Sequence, residues 1–182
     1  MARPDLIKGP RERPTKLPTK RRLANIAAFY LKRFSSSAAN FRQVLRRRVL
    51  KMTKDQPDLR PEAFAAIDAV VADMVGRGLI NDARYAATKV RHDQVLKKTR
   101  AKTTAKLRAK GVAPATIKRA LDEESSADAD FDAGMAIARR RRLGPFRTTD
   151  RTRDTDRRDM GVLARAGLDF ATAKRVMAWS EE

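Results

Sequence analysis

The chain has 182 residues, no cysteine and a formal net charge of +20, from 42 Lys and Arg against 22 Asp and Glu. Without cysteine there is no disulfide framework and no thiolate metal site, and no apolar run reaches the roughly 18 to 20 residues that span a bilayer. Because each phosphate that a cation neutralises releases counterions, the charge favours a polyanionic partner; the alternative is a charge that only keeps the protein soluble.

Residues 1–21 are predicted to form a disordered basic arm. Pro4, Pro10, Pro14 and Pro18 stand among lysines and arginines, and proline at that density blocks helix and sheet. Too few apolar residues are present to order the segment. The arm either extends the electrostatic reach towards nucleic acid or is an inert tail. It lacks the apolar stretch of a secretory signal, so we expect a soluble, cytoplasmic protein.

Residues 22–79 are predicted to form a first unit of three helices. Ser37 is placed to cap the second helix, and Pro61 suits the first turn of the third. Gly78 is expected to end the third helix in the left-handed conformation. Apolar residues at helical spacing are expected to face the core: Leu23, Ile26, Ala27, Tyr30 and Leu31, then Phe41, Val44, Leu45, Val49 and Met52, then Phe64, Ile67, Val70, Val71, Met74 and Val75.

Two later stretches resemble each other closely. "KLRAKGVAPATIKRAL" (106–121) and "VLARAGLDFATAKRVM" (162–177) share six identical positions when laid over one another. Each predicts a helix, a stop at Gly111 or Gly167 with positive φ, a short turn and a second helix. One more helix precedes each copy, and Asp82 and Asp128 stand at matching positions at its start.

These patterns predict an all-α protein, a tandem array of three three-helix repeats that forms an elongated, curved rod. The second repeat covers residues 80–124 and the third covers residues 125–182. A period of about 50 residues is typical of helical arrays, whose units bury their apolar faces against their neighbours. No alternating apolar and polar run with turn signals predicts a strand.

The sequence offers no constellation for catalysis. His92 is the single histidine, and its position between Arg91 and Asp93 on a helix predicts a surface residue rather than part of a triad. No GxxxxGK[ST] loop is present to bind a nucleotide. The acidic stretch at residues 121–132 lacks the spacing and the glycine of an EF-hand. We therefore predict that the protein is not an enzyme and has no cofactor and no metal site.

Basic helix faces remain as the functional signal. Because no aromatic residues are interleaved with the basic clusters, base stacking is expected to be poorly supplied. Contact with the phosphate backbone, without sequence readout, is the expected mode of binding.

Three stretches stand out in the sequence: "LKRFSSSAANFRQVL" (31–45), "GLINDARYA" (78–86) and "KLRAKGVAPATIKRAL" (106–121). They resemble motifs of the RecX family, small bacterial regulators of the RecA recombinase. "GLINDARYA" (78–86) resembles the family's turn-and-helix motif, and "KLRAKGVAPATIKRAL" (106–121) resembles its central element. "LKRFSSSAANFRQVL" (31–45) resembles the opening motif, with Asn40 and Phe41 in place of the usual Glu and Leu. That replacement weakens the capping box expected with Ser37. The resemblance covers about residues 22–179.

The resemblance implies three tandem three-helix repeats that lodge in the groove of the RecA–single-stranded DNA filament. There the protein would restrain filament growth, ATP hydrolysis, strand exchange and the co-protease activity behind the SOS response. It would be a monomer of the bacterial cytoplasm, associated with the nucleoid, and would also contact single-stranded and possibly double-stranded DNA.

Two other hypotheses stay open beside a recombinase regulator. One is a general nucleic-acid-binding helical protein that contacts phosphates without a recombinase partner; the other, disfavoured by the missing acid–base and metal clusters, is a nuclease. Arg84 could equally form a structural salt bridge at its helix start. The residues predicted to contact phosphate or an acidic groove are Arg42, Arg46, Arg84, Lys98, Arg108, Lys110 and Arg140.

Overall fold

A computed structural model describes residues 17–180 of the chain. In this part of the chain nine α-helices and two short 3-10 turns form, and no strand is present, as predicted. The 3-10 turns cover Pro57–Leu59 and Gly144–Phe146. The helices are α1 (Lys20–Leu31), α2 (Ala38–Met52), α3 (Arg60–Gly76), α4 (Asp82–Val95), α5 (Arg100–Ala109), α6 (Pro114–Glu124), α7 (Ala129–Arg141), α8 (Arg153–Arg165) and α9 (Phe170–Met177).

Three separate hydrophobic cores divide the helices into three units. The first unit contains α1–α3, the second α4–α6 and the third α7–α9. Because the helix pairs that pack closely lie within one unit, the fold is the predicted tandem array of three-helix repeats. The largest fully buried apolar side chains include Phe41, Leu23, Leu45 and Ile67 in the first core, Leu107 in the second, and Leu163 and Val176 in the third.

The middle helix of each unit is fixed at both ends by local sequence. Its N-cap is Ser37, Thr99 or Thr152, and each hydroxyl accepts a backbone N–H of the first turn. In the second and third units the helix ends at Gly111 and Gly167, with φ of +71° and +93°. Both glycines take the left-handed conformation that the sequence predicted.

The first and second units meet at a junction formed by the start of α2 and the end of α5. The Ser37 hydroxyl donates to the Lys110 carbonyl, which belongs to the C-cap of α5. The Ala38 N–H donates to Asp82 Oδ1 at 2.8 Å. Ala39 packs directly on Gly111, where the Cβ of any larger residue would overlap it. A hydroxyl, a carboxylate and a glycine therefore hold this junction.

The second and third units meet in the same way, with different residues. The Thr99 hydroxyl donates to the Ala166 carbonyl at 2.7 Å, and the Arg100 N–H donates to Asp130 Oδ1 at 2.7 Å. Ala101 packs on Gly167 as Ala39 packs on Gly111. The recurring glycine thus serves twice: it ends a helix and it admits the next unit.

The predicted match between Asp82 and Asp128 is wrong by two residues. Asp130, not Asp128, accepts the backbone N–H of the preceding unit, whereas Asp128 pairs with Arg175 at 3.1 Å on the surface. The alternation of Asp with Ala at residues 127–132 allowed either alignment from sequence. Contact with the preceding unit decides between them.

The two outer ends of the array lack these contacts. The Thr53 carbonyl occupies the C-cap of α2, the position of the two junction acceptors, and here Arg60 Nη2 donates to it at 3.2 Å. At the other end the Thr152 hydroxyl is held in a capping box with Thr155. Asp154 stands where the junctions use alanine. Both outer ends are therefore satisfied within their own unit.

One expectation for the first unit needs correction, because Val75 is exposed. Phe64 packs against the core as predicted and is partly buried, and the guanidinium of Arg46 lies 4.6 Å from its ring centroid. Ala63 and Val70 lie in the core beside Ile67. The basic arm predicted for residues 1–21 falls outside the described residues up to residue 16, and α1 begins at Lys20.

Candidate nucleic-acid interface

The seven residues predicted to contact phosphate do not form one site. They are spread over α2, α4, α5, α7 and the link from α4 to α5. Several also contribute to the structure, so each has to be judged by what its cationic group already contacts. A cation with a carboxylate partner exchanges one ion pair for another when it meets phosphate, whereas an unpaired cation gains a new one.

Arg42 and Arg46 on α2 both contact α3. Arg42 Nε lies 2.6 Å from Asp68 Oδ1, and Arg46 lies over the ring of Phe64. Both groups stay accessible at the surface, but each already serves the packing of the first unit.

No carboxylate of residues 17–180 lies within salt-bridge distance of Arg84. Its guanidinium donates instead to the carbonyl of Gly78 at 3.1 Å. This contact closes the turn between α3 and α4, in which Gly78 has a φ of +68°. This hydrogen bond to a backbone carbonyl therefore supports a structural role for Arg84.

Lys98 belongs to a cluster of three lysines around one buried carboxylate. Lys89 and Lys98 place their Nζ atoms 3.3 and 3.0 Å from Asp93 Oδ1. Lys106 Nζ lies 3.1 Å from Oδ2. Thr103 donates to the same oxygen at 3.3 Å. Three ammonium groups share one carboxylate, so the cluster keeps an excess of positive charge.

The carboxyl of Asp93 is ionised despite its burial. Burial raises the pKa of Asp93, but the hydrogen bonds from the three lysines outweigh burial and lower the pKa to about 2. Because Thr103 lies on α5 and Asp93 on α4, the same carboxylate also ties the start of α5 to the preceding helix.

Lys110 and Arg108 lie near opposite sides of α5. Lys110 Nζ donates to Asn40 Oδ1 at 3.1 Å, across the junction to the first unit. Arg108 lines a groove between α5 and α6 together with Arg100 and Lys118. The latter two share Asp122, which leaves Arg108 as the cation of that groove without a carboxylate partner among residues 17–180.

Arg140 lies in a groove that is lined by four cations. The groove crosses the junction between the second and third units, where Lys102 of α5 faces Arg140 and Arg141 of α7 and Arg165 of α8. It continues along α8 past Val162 and Arg165. We call this surface the basic groove; its cations are Lys102, Arg140, Arg141, Arg157, Arg158 and Arg165.

Nothing in the described part of the chain neutralises the basic groove by direct pairing. No carboxylate oxygen of residues 17–180 lies within the 4.0 Å of a salt bridge from any of its six cations. Asp154 lines the far end, beside Arg157 and Arg158. Guanidinium groups without a carboxylate partner are available to bind phosphate in a bidentate manner.

Of the basic groove, the sequence predicted only Arg140. Lys102 and Lys106 follow one face of α5, and Arg158 and Arg165 follow one face of α8, both visible as helical spacing. That α5 and α8 face each other across a junction was not visible, because the contact joins residues more than 60 positions apart.

The expectation that aromatic residues are not interleaved with the basic clusters concerned Arg42 and Arg46, residues 97–110 and residues 139–142. Outside those clusters, α1 brings an aromatic ring close to a cation. Phe29 is 63% exposed, and the guanidinium of Arg33 lies 4.6 Å from its ring centroid. His92 is exposed, as predicted. Among residues 17–180 no group of three or more His, Cys, Asp or Glu could hold a metal ion. No helix in this range has the length and apolar character needed to cross a bilayer.

Comparisons with known proteins agree with the repeat architecture. Residues 81–121 match the family described as RecX, second three-helix domain. The chain is 38% identical over 172 residues to a regulatory protein RecX of Myxococcus xanthus, covering 93% of this chain and 90% of the relative. It is 27% identical over 168 residues to a regulatory protein RecX of Agrobacterium fabrum, covering 91% of this chain and 88% of that one.

Two solved structures share the fold. A crystal structure of a regulatory protein RecX superposes with a TM-score of 0.66 at 18% identity, covering 86% of this chain and 70% of that one. The crystal structure of RecX from Lactobacillus salivarius gives 0.66 at 17% identity, covering 87% of this chain and 94% of that one. At these identities the likeness concerns the arrangement of helices.

Proposed function

Since the chain belongs to the RecX family of regulatory proteins, we propose that it is a non-enzymatic regulator of RecA filaments. It binds in the groove of the RecA–single-stranded DNA filament in the bacterial cytoplasm, at the nucleoid. There it restrains filament growth, ATP hydrolysis, strand exchange and co-protease activity. The named relatives are regulatory proteins, which supports a role in control rather than catalysis.

The single observation that carries the proposal is the basic groove. Its six cations lie across a junction between units and lack carboxylate partners among residues 17–180. A filament of recombinase on DNA offers phosphates along a repeating track, and an array of units offers repeated surfaces to match it. Arg108, Arg42 and Arg46 extend the cationic surface beyond the groove in this proposal.

The test is ATP hydrolysis by RecA on single-stranded DNA while this protein is titrated, with DNA sites in large excess. We expect inhibition at well below one molecule per recombinase, undiminished by the added DNA. The variant Arg140→Glu with Arg165→Glu is expected to need at least tenfold more protein, since two phosphate contacts become repulsive.

Lys174→Glu is the matched control, because Lys174 is exposed on α9 and lies outside the basic groove. It should inhibit like the unaltered chain. Equal inhibition by the groove variant would overturn the role of the groove. Inhibition that disappears as free DNA is added would favour the second candidate, a general phosphate-binding protein without a recombinase partner.

The second candidate has its own observation. Residues 17–54 contain eleven Lys and Arg and no Asp or Glu. A steep salt dependence on naked DNA, with no preference for DNA coated with recombinase, would support it.

A further inference from the structure

The outward face of α1 exposes aromatic rings on a helix that otherwise carries cations. Phe29 is 63% exposed and Phe34, just beyond the helix, is 55% exposed. Tyr30 between them turns inward, with its ring 5.5 Å from that of the buried Phe41. Large exposed aromatic side chains that do not serve the core of their own chain point to a surface that is covered by something else.

Both exposed rings are held in place. The ring of Phe34 lies 5.1 Å from that of Tyr30, so Phe34 is anchored to the core through one intermediate ring. Arg33 places its guanidinium over Phe29, 4.6 Å from the ring centroid. Because Arg33 covers one face of the Phe29 ring and the plane of a guanidinium is itself a stacking surface for a nucleobase, a base can stack on Arg33 or on the other face of Phe29.

The charges around these rings have one sign. On the same side of α1, helical spacing places Arg22, Lys32 and Arg33 within one or two turns of Phe29. None of these three has a carboxylate partner among residues 17–180, in contrast to Arg42 with Asp68. The segment 17–54 adds eight more cations and no acid.

This combination selects among occupants. A second copy of the chain would bring the same positive face and be repelled. A duplex would meet the cations but hide its bases from the rings. A single strand satisfies both features, because its phosphates meet the cations and its unstacked bases meet the aromatic surface.

We propose that Phe29, Arg33 and Phe34 form a base-stacking platform for single-stranded nucleic acid, with Arg22 and Lys32 as its phosphate contacts. The platform binds naked single strands and so does not depend on a recombinase. It lies in the first unit, whereas the basic groove crosses from the second unit to the third.

The test measures binding of fluorescein-labelled oligothymidylate by anisotropy at low and moderate salt. Phe29→Ala should weaken binding at least fivefold, because stacking on one aromatic side chain is lost. Phe29→Trp should retain the affinity, and its fluorescence should be quenched on binding, while the signal of Trp179 in the unaltered chain stays unchanged. On an oligomer of the same length with abasic sugars, the unaltered chain and Phe29→Ala should bind equally.

Phe170→Ala is the matched control, since Phe170 is 74% exposed at the start of α9, at the other end of the array. It should bind oligothymidylate like the unaltered chain. The platform is refuted if Phe29→Ala binds oligothymidylate unchanged, or if it loses as much affinity for the abasic oligomer. Loss of RecA inhibition by Phe29→Ala with unchanged oligonucleotide binding would also refute it, and would identify this face as a protein contact.

Discussion

The junction between the first and second units and the junction between the second and third units share the same contacts but differ in the residues beside them. Each has a hydroxyl donating to a C-cap carbonyl, a carboxylate accepting the first helical N–H, and an alanine packed on a glycine. Only the second junction has a buried carboxylate behind its helix start, where Asp93 accepts from Thr103 of α5. The first junction has Asn40 and Ser36 near the equivalent place.

The difference separates what joins two units from what holds a unit in shape. The three shared features recur although the residues around them differ, so we assign to them the joining of one unit to the next. The lysine cluster around Asp93 occurs once and therefore serves the second unit itself. Equivalent substitutions at the shared features should therefore have similar effects at the two junctions. A substitution at Asp93 has no counterpart at the first junction.

The largest effect is expected from Gly167→Ala. The substitution forces alanine into a φ of +93° and drives its Cβ into Ala101. Left-handed strain of about 1 kcal/mol and overpacking of about 1–3 kcal/mol should together lower the free energy of unfolding by about 2–4 kcal/mol in urea titrations. Gly111→Ala should act in the same range, through Ala39.

Gly76→Ala provides the control for the glycines. Gly76 lies in the last turn of α3 with ordinary φ, and no atom lies within 4 Å of the position that a Cβ would occupy. The change should therefore be neutral or stabilising by up to about 1 kcal/mol. If all three variants behaved alike, the packing of glycine against alanine would not hold the junctions.

Asp93 should make the second junction sensitive to acid. Because its pKa is lowered from 3.8 to about 2, its ionised form stabilises the fold fully above the ordinary pKa, and this is lost as the pH falls from about 4 to about 2. The contribution is roughly 2 kcal/mol. Asp93→Asn should lose about that much at neutral pH, and its unfolding free energy should depend less on pH in the acid range.

Asp159 keeps a part of the acid dependence in that variant. Burial raises its pKa, but the hydrogen bonds from Arg147 and from the Gly144 N–H lower it overall. Asp68→Asn is the control, since the Asp68–Arg42 pair is exposed and an exposed pair contributes little. A pH profile of Asp93→Asn that parallels the unaltered chain would contradict the assignment.

Thr99→Val should cost about 1–2 kcal/mol of unfolding free energy. The hydroxyl donates to the Ala166 carbonyl in a fully buried place and also caps α5, so both partners lose a hydrogen bond. Thr99→Ser retains the hydroxyl and should lose less than about 1 kcal/mol. Ser37→Ala tests the same position at the first junction. If one of the two substitutions lowered the free energy of unfolding and the other raised it, the two junctions would not be equivalent.

The smallest effect is expected from Asp130→Asn and Asp82→Asn. The amide oxygen can still accept the N–H of Arg100 or Ala38, but the negative charge at the helix N-terminus is lost, which costs about 0.5 kcal/mol. Asp128→Asn is the control that decides the alignment of the repeats by thermal unfolding. A larger loss at Asp128 than at Asp130 would restore the match that the sequence alone suggested.

The features that follow from local sequence could be predicted, because local rules decide them. Ser37 caps α2 as expected, and Asn81 and Asp169 cap α4 and α9 by the same local rule. Leu107 and Leu163, which align in the two similar stretches, are both buried. Gly78, Gly111 and Gly167 all have positive φ.

What could not be predicted depends on contacts between distant residues. No pattern near Lys110 indicates that its carbonyl accepts from Ser37, because the donor lies 73 positions away. For the same reason no local pattern indicates that Arg42 pairs with Asp68, or that Lys102 lines one groove with Arg140 and Arg165.

The arginine that donates to the Thr53 carbonyl makes the outer end of the first unit different from the two internal junctions. Each unit offers one acceptor and one donor for stacking, and in the first unit Arg60 already occupies the acceptor. At the opposite end Asp154 puts a charged side chain where a neighbour's glycine would have to fit. Lys54 also follows the C-cap of α2 where the junctions have Gly111 and Gly167, so neither outer end of the stack offers the set of contacts that joins the three units to one another.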